Sequence, residues 1–217
     1  ELRRSGGFER WSGIRGFFDP IKKIGTIEDK EIETKLAIAW MGLKEGFSKE
    51  AMEEANEVSK ISVQDLLRDK DRKDLRYLRF VTIDGNSTRD FDDAVYIEKN
   101  EGGYRLLVAI ADVSRYVKPN DFLDIEAKEK GSSYYMPHRV IPMLPEIISQ
   151  ESCSLNINCA RAVIVLDCFI SKTGAIESSE FYPAVINNYG RLTYNEVDYF
   201  YNRLPEDAQT LGKPNRS

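Results

Sequence analysis

The sequence predicts an α+β protein: a mixed β-sheet built from two hairpins, with helices flanking it. Three observations carry this expectation. AVYIEKNEGGYRLLVAIADV and RAVIVLDCFISKTGAIESSEFYPAVINN are rich in β-branched and aromatic residues. Each is broken once by turn formers, at residues 100–103 and 172–174. Ahead of them, Ile32, Leu36, Ala39, Trp40 and Leu43 recur at helical spacing. The longest apolar runs, LLVAIA and AVIVL, suit buried strands and fall far short of the ~20 residues of a membrane span. With 217 residues, 41% hydrophobic and 31% charged, the chain has the composition of a globular protein able to bury a core.

Residues 1–25 mix glycines with Phe8, Trp11, Phe17 and Phe18 among arginines. They read equally as the end of a small β-domain presenting aromatics and cations to nucleic acid, or as a loose terminus. The formal net charge of −5 argues against a nucleic-acid partner. Yet the basic residues cluster, in residues 1–25 and again in 60–79, and clustering decides binding more than the sum does. The first helix starts after Asp29 and stops at Gly42 and Gly46. Ser48 is the N-cap expected for KEAMEEANEV, and Ser62 with Asp65 opens SVQDLLRD. DKDRKDLRYLR reads as a linker, which places a domain boundary near residue 78 and divides the chain into 1–78 and 79–217.

The segment TIDGNSTRDFDDAVYIE then sets Asp84, Asp90, Asp92 and Asp93 between two strand-like runs, FVTI and AVYI. Gly85, Asn86 and Ser87 break the first run, since Gly and Asn tolerate backbone angles a strand cannot use. Four carboxylates this close repel, and each is driven to keep its proton unless a cation sits among them. The segment therefore reads either as a solvated acidic turn or as a site for a hard cation such as Mg²⁺. A calcium EF-hand is excluded: started at Asp84, that template meets Arg89 where glycine belongs and Val95 where glutamate belongs.

Leu106, Val108 and Ile110 alternate with Leu107, Ala109 and Ala111, so both faces of this strand are apolar and coverage on both sides is expected. Asp112 reads as a strand-end aspartate capping the next turn, or as a neighbour of the metal site. Residues 119–130 form a weakly amphipathic helix closed by Gly131. In SSYYMPHRVIPMLPEIIS, Pro137, Pro142 and Pro145 impose an extended segment. Its Tyr134 and Tyr135 either stack on a base or pack in the core. Thr193 and Glu196 have capping-box spacing for a last helix. Cys153, Cys159 and Cys168 lack metal-ligand spacing, and His138 is the sole imidazole, so a zinc site or a Cys- or Ser-based triad is not expected. Reduced thiols and the absence of an apolar leader in ELRRSGGFERW point to the cytoplasm.

Taken together, TIDGNSTRDFDDAVY, RLLVAIADVS, YMPHRVIPMLPE, CSLN (residues 153–156) and RLTYNEV resemble, in order, the first half of the RNB catalytic domain of the ribonuclease II/ribonuclease R family. Residues 20–75 more weakly resemble the end of the preceding cold-shock, OB-like domain and its linker. The resemblance implies a 3′→5′ exoribonuclease that degrades single-stranded RNA to nucleoside 5′-monophosphates. It implies Mg²⁺ as cofactor, held by Asp84, Asp90, Asp92 and Asp93 as the catalytic and metal-binding residues, and Tyr135 as an RNA-stacking residue. It also implies partners in RNA decay such as a helicase, and no membrane. The later helical half, with its Ser-Pro-Ile-Arg-Arg-Tyr signature, has no counterpart among these residues. The chain alone is thus expected to be weak or inactive and to expose an apolar face that favours self-association. The alternative is an RNA-binding or scaffold protein with a non-catalytic RNB-like domain.

Overall fold

The computed structural model describes residues 23–203. The aromatic and basic residues before position 23 and the tail after 203 lie outside the described residues, whereas the described part of the 20–75 span, expected to hold the end of an OB-like domain and its linker, forms three helices and one two-residue strand, Lys73–Asp74. The chain separates into two compact units, one made of residues up to Glu45 together with Tyr134–Ile141, the other of Gly46–Ser133 with Pro142 onward.

In the smaller unit, α1 (Ile32–Met41) ends where Gly42 takes a left-handed backbone and returns its N–H to Ile38 and Ala39. The predicted apolar face is not the buried one: Thr34 and Ile38 are buried while Leu36 and Trp40 are exposed. AIAWM is apolar nearly all round the helix, so spacing alone could not choose the inward side. The proline-rich segment supplies a two-stranded hairpin, β5 (Tyr134–Tyr135) and β6 (Val140–Ile141). His138 is exposed at its turn.

The larger unit carries a six-stranded mixed sheet, β1 (Lys73–Asp74), β2 (Phe80–Asp84), β3 (Asp93–Asn100), β4 (Gly103–Ala111), β7 (Ala160–Ser171) and β8 (Ile176–Thr193). Both predicted hairpins are present, β3–β4 and β7–β8. β8 runs on to Thr193 and pairs in parallel with β1 and β2. The circuit β2–β3–β4–β7–β8 therefore closes back on β2. One core fills the inner side, with Phe80, Leu107, Leu155, Val163, Val165, Ala184 and Ile186 fully buried.

Double coverage falls elsewhere than expected. In β4 the buried side chains are Leu107 and Ala109, and Ile110 on the other face is exposed. The covered stretch is Ala162 and Val185, where α3 (Val63–Leu67) lays Leu66 against the outer side of β7 and β8. The second core joins α2 (Lys49–Val58), α4 (Phe122–Lys130) and a π-helical turn, Ile147–Ser152, through Ala51, Ala55, Tyr116, Leu123, Leu144, Ile148 and Cys153. That turn corrects the wholly extended reading of residues 132–149. Pro145 accepts at its carbonyl from the N–H groups of Ile148 and Ser149, so the proline starts a helical turn and the extended chain ends there. Likewise α4 begins at Phe122, not Pro119, because Asp121 sits at its N-cap in extended backbone.

The predicted caps are in place: Ser48 Oγ accepts from Ala51 N–H, and Ser62 with Asp65 forms a reciprocal capping box, as Thr193 with Glu196 does at α5 (Tyr194–Tyr201).

Candidate active site

The aspartate loop joins two strand ends. Asp84 is the last residue of β2, paired with Thr193 of β8, and Asp93 is the first residue of β3, paired with Ile110 of β4. Asp90 and Asp92 lie between them. Strand geometry thus fixes the two outer carboxylates, and only residues 85–92 remain to be held. The break after Asp84 does not use the backbone freedom expected of it: neither Gly85 nor Asn86 takes a left-handed conformation. Instead Thr88 N–H closes a turn on the Gly85 carbonyl at 3.3 Å.

Groups distant in the sequence hold the rest. One guanidinium nitrogen of Arg191 donates to the carbonyls of Gly85, Asn86 and Thr88, at 3.4, 2.8 and 3.4 Å. The same guanidinium lies 4.9 Å from the centre of the Phe91 ring, in cation–π contact. The Ser154 hydroxyl accepts from Phe91 N–H at 3.0 Å and donates to the Arg89 carbonyl at 3.2 Å. Leu155 N–H donates to the Phe91 carbonyl at 2.8 Å, and Ala111 N–H to that of Asp92 at 2.8 Å.

The electrostatics are those of a crowded anionic site. Burial, then the neighbouring Asp93 and Asp90, push the Asp84 carboxyl above its usual range, against the pull of Arg191. Asp92 is exposed on one side, but burial on the other, followed by Asp90, Asp93 and Asp84, pushes it up as well. Burial, then the charges of Asp92 and Asp112, raise the Cys153 thiol to about 12, so it is no nucleophile. Oδ2 of Asp84 is buried and has no hydrogen-bond partner. Among the described residues, no three carboxylate, thiol or imidazole groups converge closely enough to chelate an ion as the side chains stand. The donors nonetheless fit a hard cation: all are carboxylate oxygens, burial and the neighbouring aspartates raise the proton affinity of Asp84 and Asp92, and one Asp84 oxygen is buried without a donor.

The capping role expected of Asp112 is not the one its carboxylate takes. Its carboxylate does not cap the following turn (Val113–Arg115) but accepts from Ser114 Oγ and from Arg72 Nη2, both at 2.6 Å. Arg72 also donates to the carbonyls of Val163 and Ala184 and is itself buried, so the pair ties the end of β4 to β7 and β8. Tyr135 is 69% exposed on β5, in the smaller unit, and Tyr134 is half-buried beside it. Sequence reasoning passed over Ser154, Asn188 and Arg191 as individual side chains. Two of the three lie in the quoted motifs CSLN and RLTYNEV.

The RNB domain family model matches residues 72–212. Ribonuclease R of Mycoplasmopsis pulmonis is 40% identical over 185 residues, 84% of this chain and 25% of the relative. Ribonuclease R of Escherichia coli is 53% identical over 127 residues, 58% of this chain and 16% of the relative. Among solved structures, Mycoplasma genitalium RNase R in complex with ribose methylated single-stranded RNA superposes with a TM-score of 0.77 at 33% identity, covering 86% of this chain and 30% of that one. The chain therefore spans about a quarter or less of the length of these two curated relatives. Since residues 72–212 contain the whole closed sheet, the aspartate loop and the strand that clamps it, the chain belongs to the RNB-domain family.

Proposed function

We propose that the chain carries the aspartate-bearing part of the catalytic domain of an exoribonuclease that removes nucleoside 5′-monophosphates from the 3′ end of single-stranded RNA. The observation that carries this reading is the loop itself, four carboxylates within residues 84–93, held at two strand ends, with a buried Asp84 oxygen that lacks a donor. Asp84, Asp90, Asp92 and Asp93 would hold Mg²⁺. When bound, such an ion polarises the phosphate and makes hydroxide available near neutral pH, so no histidine base is needed. The chain's own contribution is placement: β2 and β3 present the outer carboxylates on hydrogen-bonded backbone, and Arg191 moderates the negative potential beside Asp84. Tyr135 offers an exposed ring on which a base can stack, a contact worth ~1–3 kcal/mol. The complex of Mycoplasma genitalium RNase R with ribose methylated single-stranded RNA supports single-stranded RNA as the substrate class.

Phosphoryl transfer also needs preorganised positive groups on the transferring phosphate. This chain covers only a fraction of its relatives, so on its own it would be weak or inactive. RNA-decay proteins such as a helicase are the partners this role implies, and the free, buried thiols of Cys153 and Cys168 suit the cytoplasm.

The test is digestion of 3′- and 5′-end-labelled single-stranded RNA, by this chain and by the complete enzyme, with Mg²⁺ and with EDTA. Mononucleotides released from the 3′ end by the complete enzyme, only with Mg²⁺, are expected. Internal cuts, or cleavage indifferent to EDTA, would overturn the assignment, and RNA bound but never cut by the complete enzyme would favour a non-catalytic RNA-binding role.

A further inference from the structure

Among the described residues, the larger unit fully buries three uncharged polar side chains, Thr82, Ser154 and Asn188, which are 0, 0 and 1% exposed. Burying such groups is unfavourable unless every one is hydrogen-bonded, so their location is informative. All three fall on one network. Asn188 Nδ2 donates to the Leu155 carbonyl at 2.6 Å and to Thr82 Oγ1 at 3.3 Å, while its Oδ1 accepts from Gly190 N–H at 3.0 Å. Leu155 N–H then holds the Phe91 carbonyl, and Ser154 Oγ bridges Phe91 N–H and the Arg89 carbonyl. The network thus starts on β2 two residues before Asp84 and ends on the peptides flanking Asp90.

We propose that Thr82, Asn188 and Ser154 are positioning residues that set Asp84 in register with Asp90, Asp92 and Asp93. None of them needs to touch an ion or RNA. Asn188 joins the Thr82 hydroxyl on β2 to the Leu155 carbonyl, and Ser154 straddles Asp90 with one hydroxyl that both accepts from and donates to backbone. The part of this inference that concerns a metal rests on the function proposed above; the part that concerns the loop does not.

Ser154→Ala and Thr82→Val delete one oxygen each without changing charge, and Val165→Ala serves as a comparably destabilised core variant outside the network. Two readouts are taken well below each variant's thermal midpoint. The first is Mn²⁺ affinity by electron paramagnetic resonance of the free ion. The second is amide hydrogen exchange at residues 89–93 against the β4–β7 ladder. The expected result is about tenfold weaker Mn²⁺ binding in Ser154→Ala and Thr82→Val, the scale seen when supports behind metal ligands are removed. In Ser154→Ala, protection is also expected to be lost at Phe91 but retained in the ladder. Unchanged affinity and protection would overturn the proposal, as would an equal loss in Val165→Ala. If the unmutated chain binds no Mn²⁺, the metal reading fails, and the exchange pattern at Phe91 still decides whether Ser154 positions the loop.

Discussion

At the scale of the residue, the loop opposes stability and function. Asp84 and Asp92, whose proton affinity burial and the neighbouring aspartates raise, are a liability in a metal-free chain, and native sites commonly trade stability for chemistry in this way. Asp92→Asn should therefore raise the thermal midpoint of the metal-free chain by about 1–3 °C, read by circular dichroism in EDTA. If the proposed function holds, the same change in the complete enzyme should lower RNA turnover ~100-fold or more, because on that proposal it removes charge beside the reacting phosphate. A normal rate on poly(A) would remove Asp92 from the site. Asp112 behaves in the opposite sense. Burial would raise its carboxyl, but the hydrogen bonds from Ser114 and Arg72 and the Arg72 charge outweigh it and hold the group below its usual range. A depressed pKa adds stability that is fully present above the unfolded value of ~3.9 and is lost as the pH falls through the folded value. Acid unfolding should thus gain part of its steepness below pH ~4 from this residue. Asp112→Asn should flatten that limb and, by leaving buried Arg72 only the more distant Asp69 carboxylate, cost ~3 kcal/mol in urea unfolding at neutral pH. The aspartates could be read from the sequence because identity and spacing carry their chemistry. Ser154 and Asn188 could not, since an isolated Ser or Asn announces neither burial nor partners more than 30 residues away.

At the scale of the element, hairpins and caps were legible because their signals are local. Ser48, Ser62 with Asp65, and Thr193 with Glu196 all cap the helices predicted from their spacing. Pairings over long separations were not. Nothing in FVTI or in INNYGRLT says that β2 runs parallel to β8, and the covered side of β4 was misjudged because alternation records apolarity and not the neighbour that covers it. One glycine shows how tight the ladder is. A Cβ at Gly103, where β4 starts, would stand 2.0 Å from the Ile170 carbonyl oxygen of β7. Gly103→Ala should therefore force β4 and β7 apart at that end and cost ~3 kcal/mol or more, among the larger effects of single substitutions. A loss below ~0.5 kcal/mol in denaturant unfolding, ordinary for a surface site, would contradict the packing described here.

At the scale of the whole molecule, the uncovered face of the sheet decides behaviour in solution. Ile97, Ile110, Ile164 and Phe181 are 60, 48, 39 and 73% exposed, and strand alternation and register put them on one side of β3, β4, β7 and β8. Apolar surface grouped in this way associates with its like. Sedimentation velocity should show concentration-dependent self-association of this chain, and Phe181→Lys should reduce it without lowering the thermal midpoint; a monomer at all concentrations would contradict this. The closed circuit of strands has a consequence in time as well. β2 meets β3 at a single register pair, Val81 with Val95, whereas its five residues lie along β8. During synthesis the aspartate segment therefore leaves the ribosome about a hundred residues before the strand that sorts it, and loop closure over that distance is slow. Until β8 is made, Asp93 can be set by the β3–β4 hairpin but β2, which ends in Asp84, has no strand along its length to fix it, so the joint geometry of the acidic residues arrives only with the closing of the sheet.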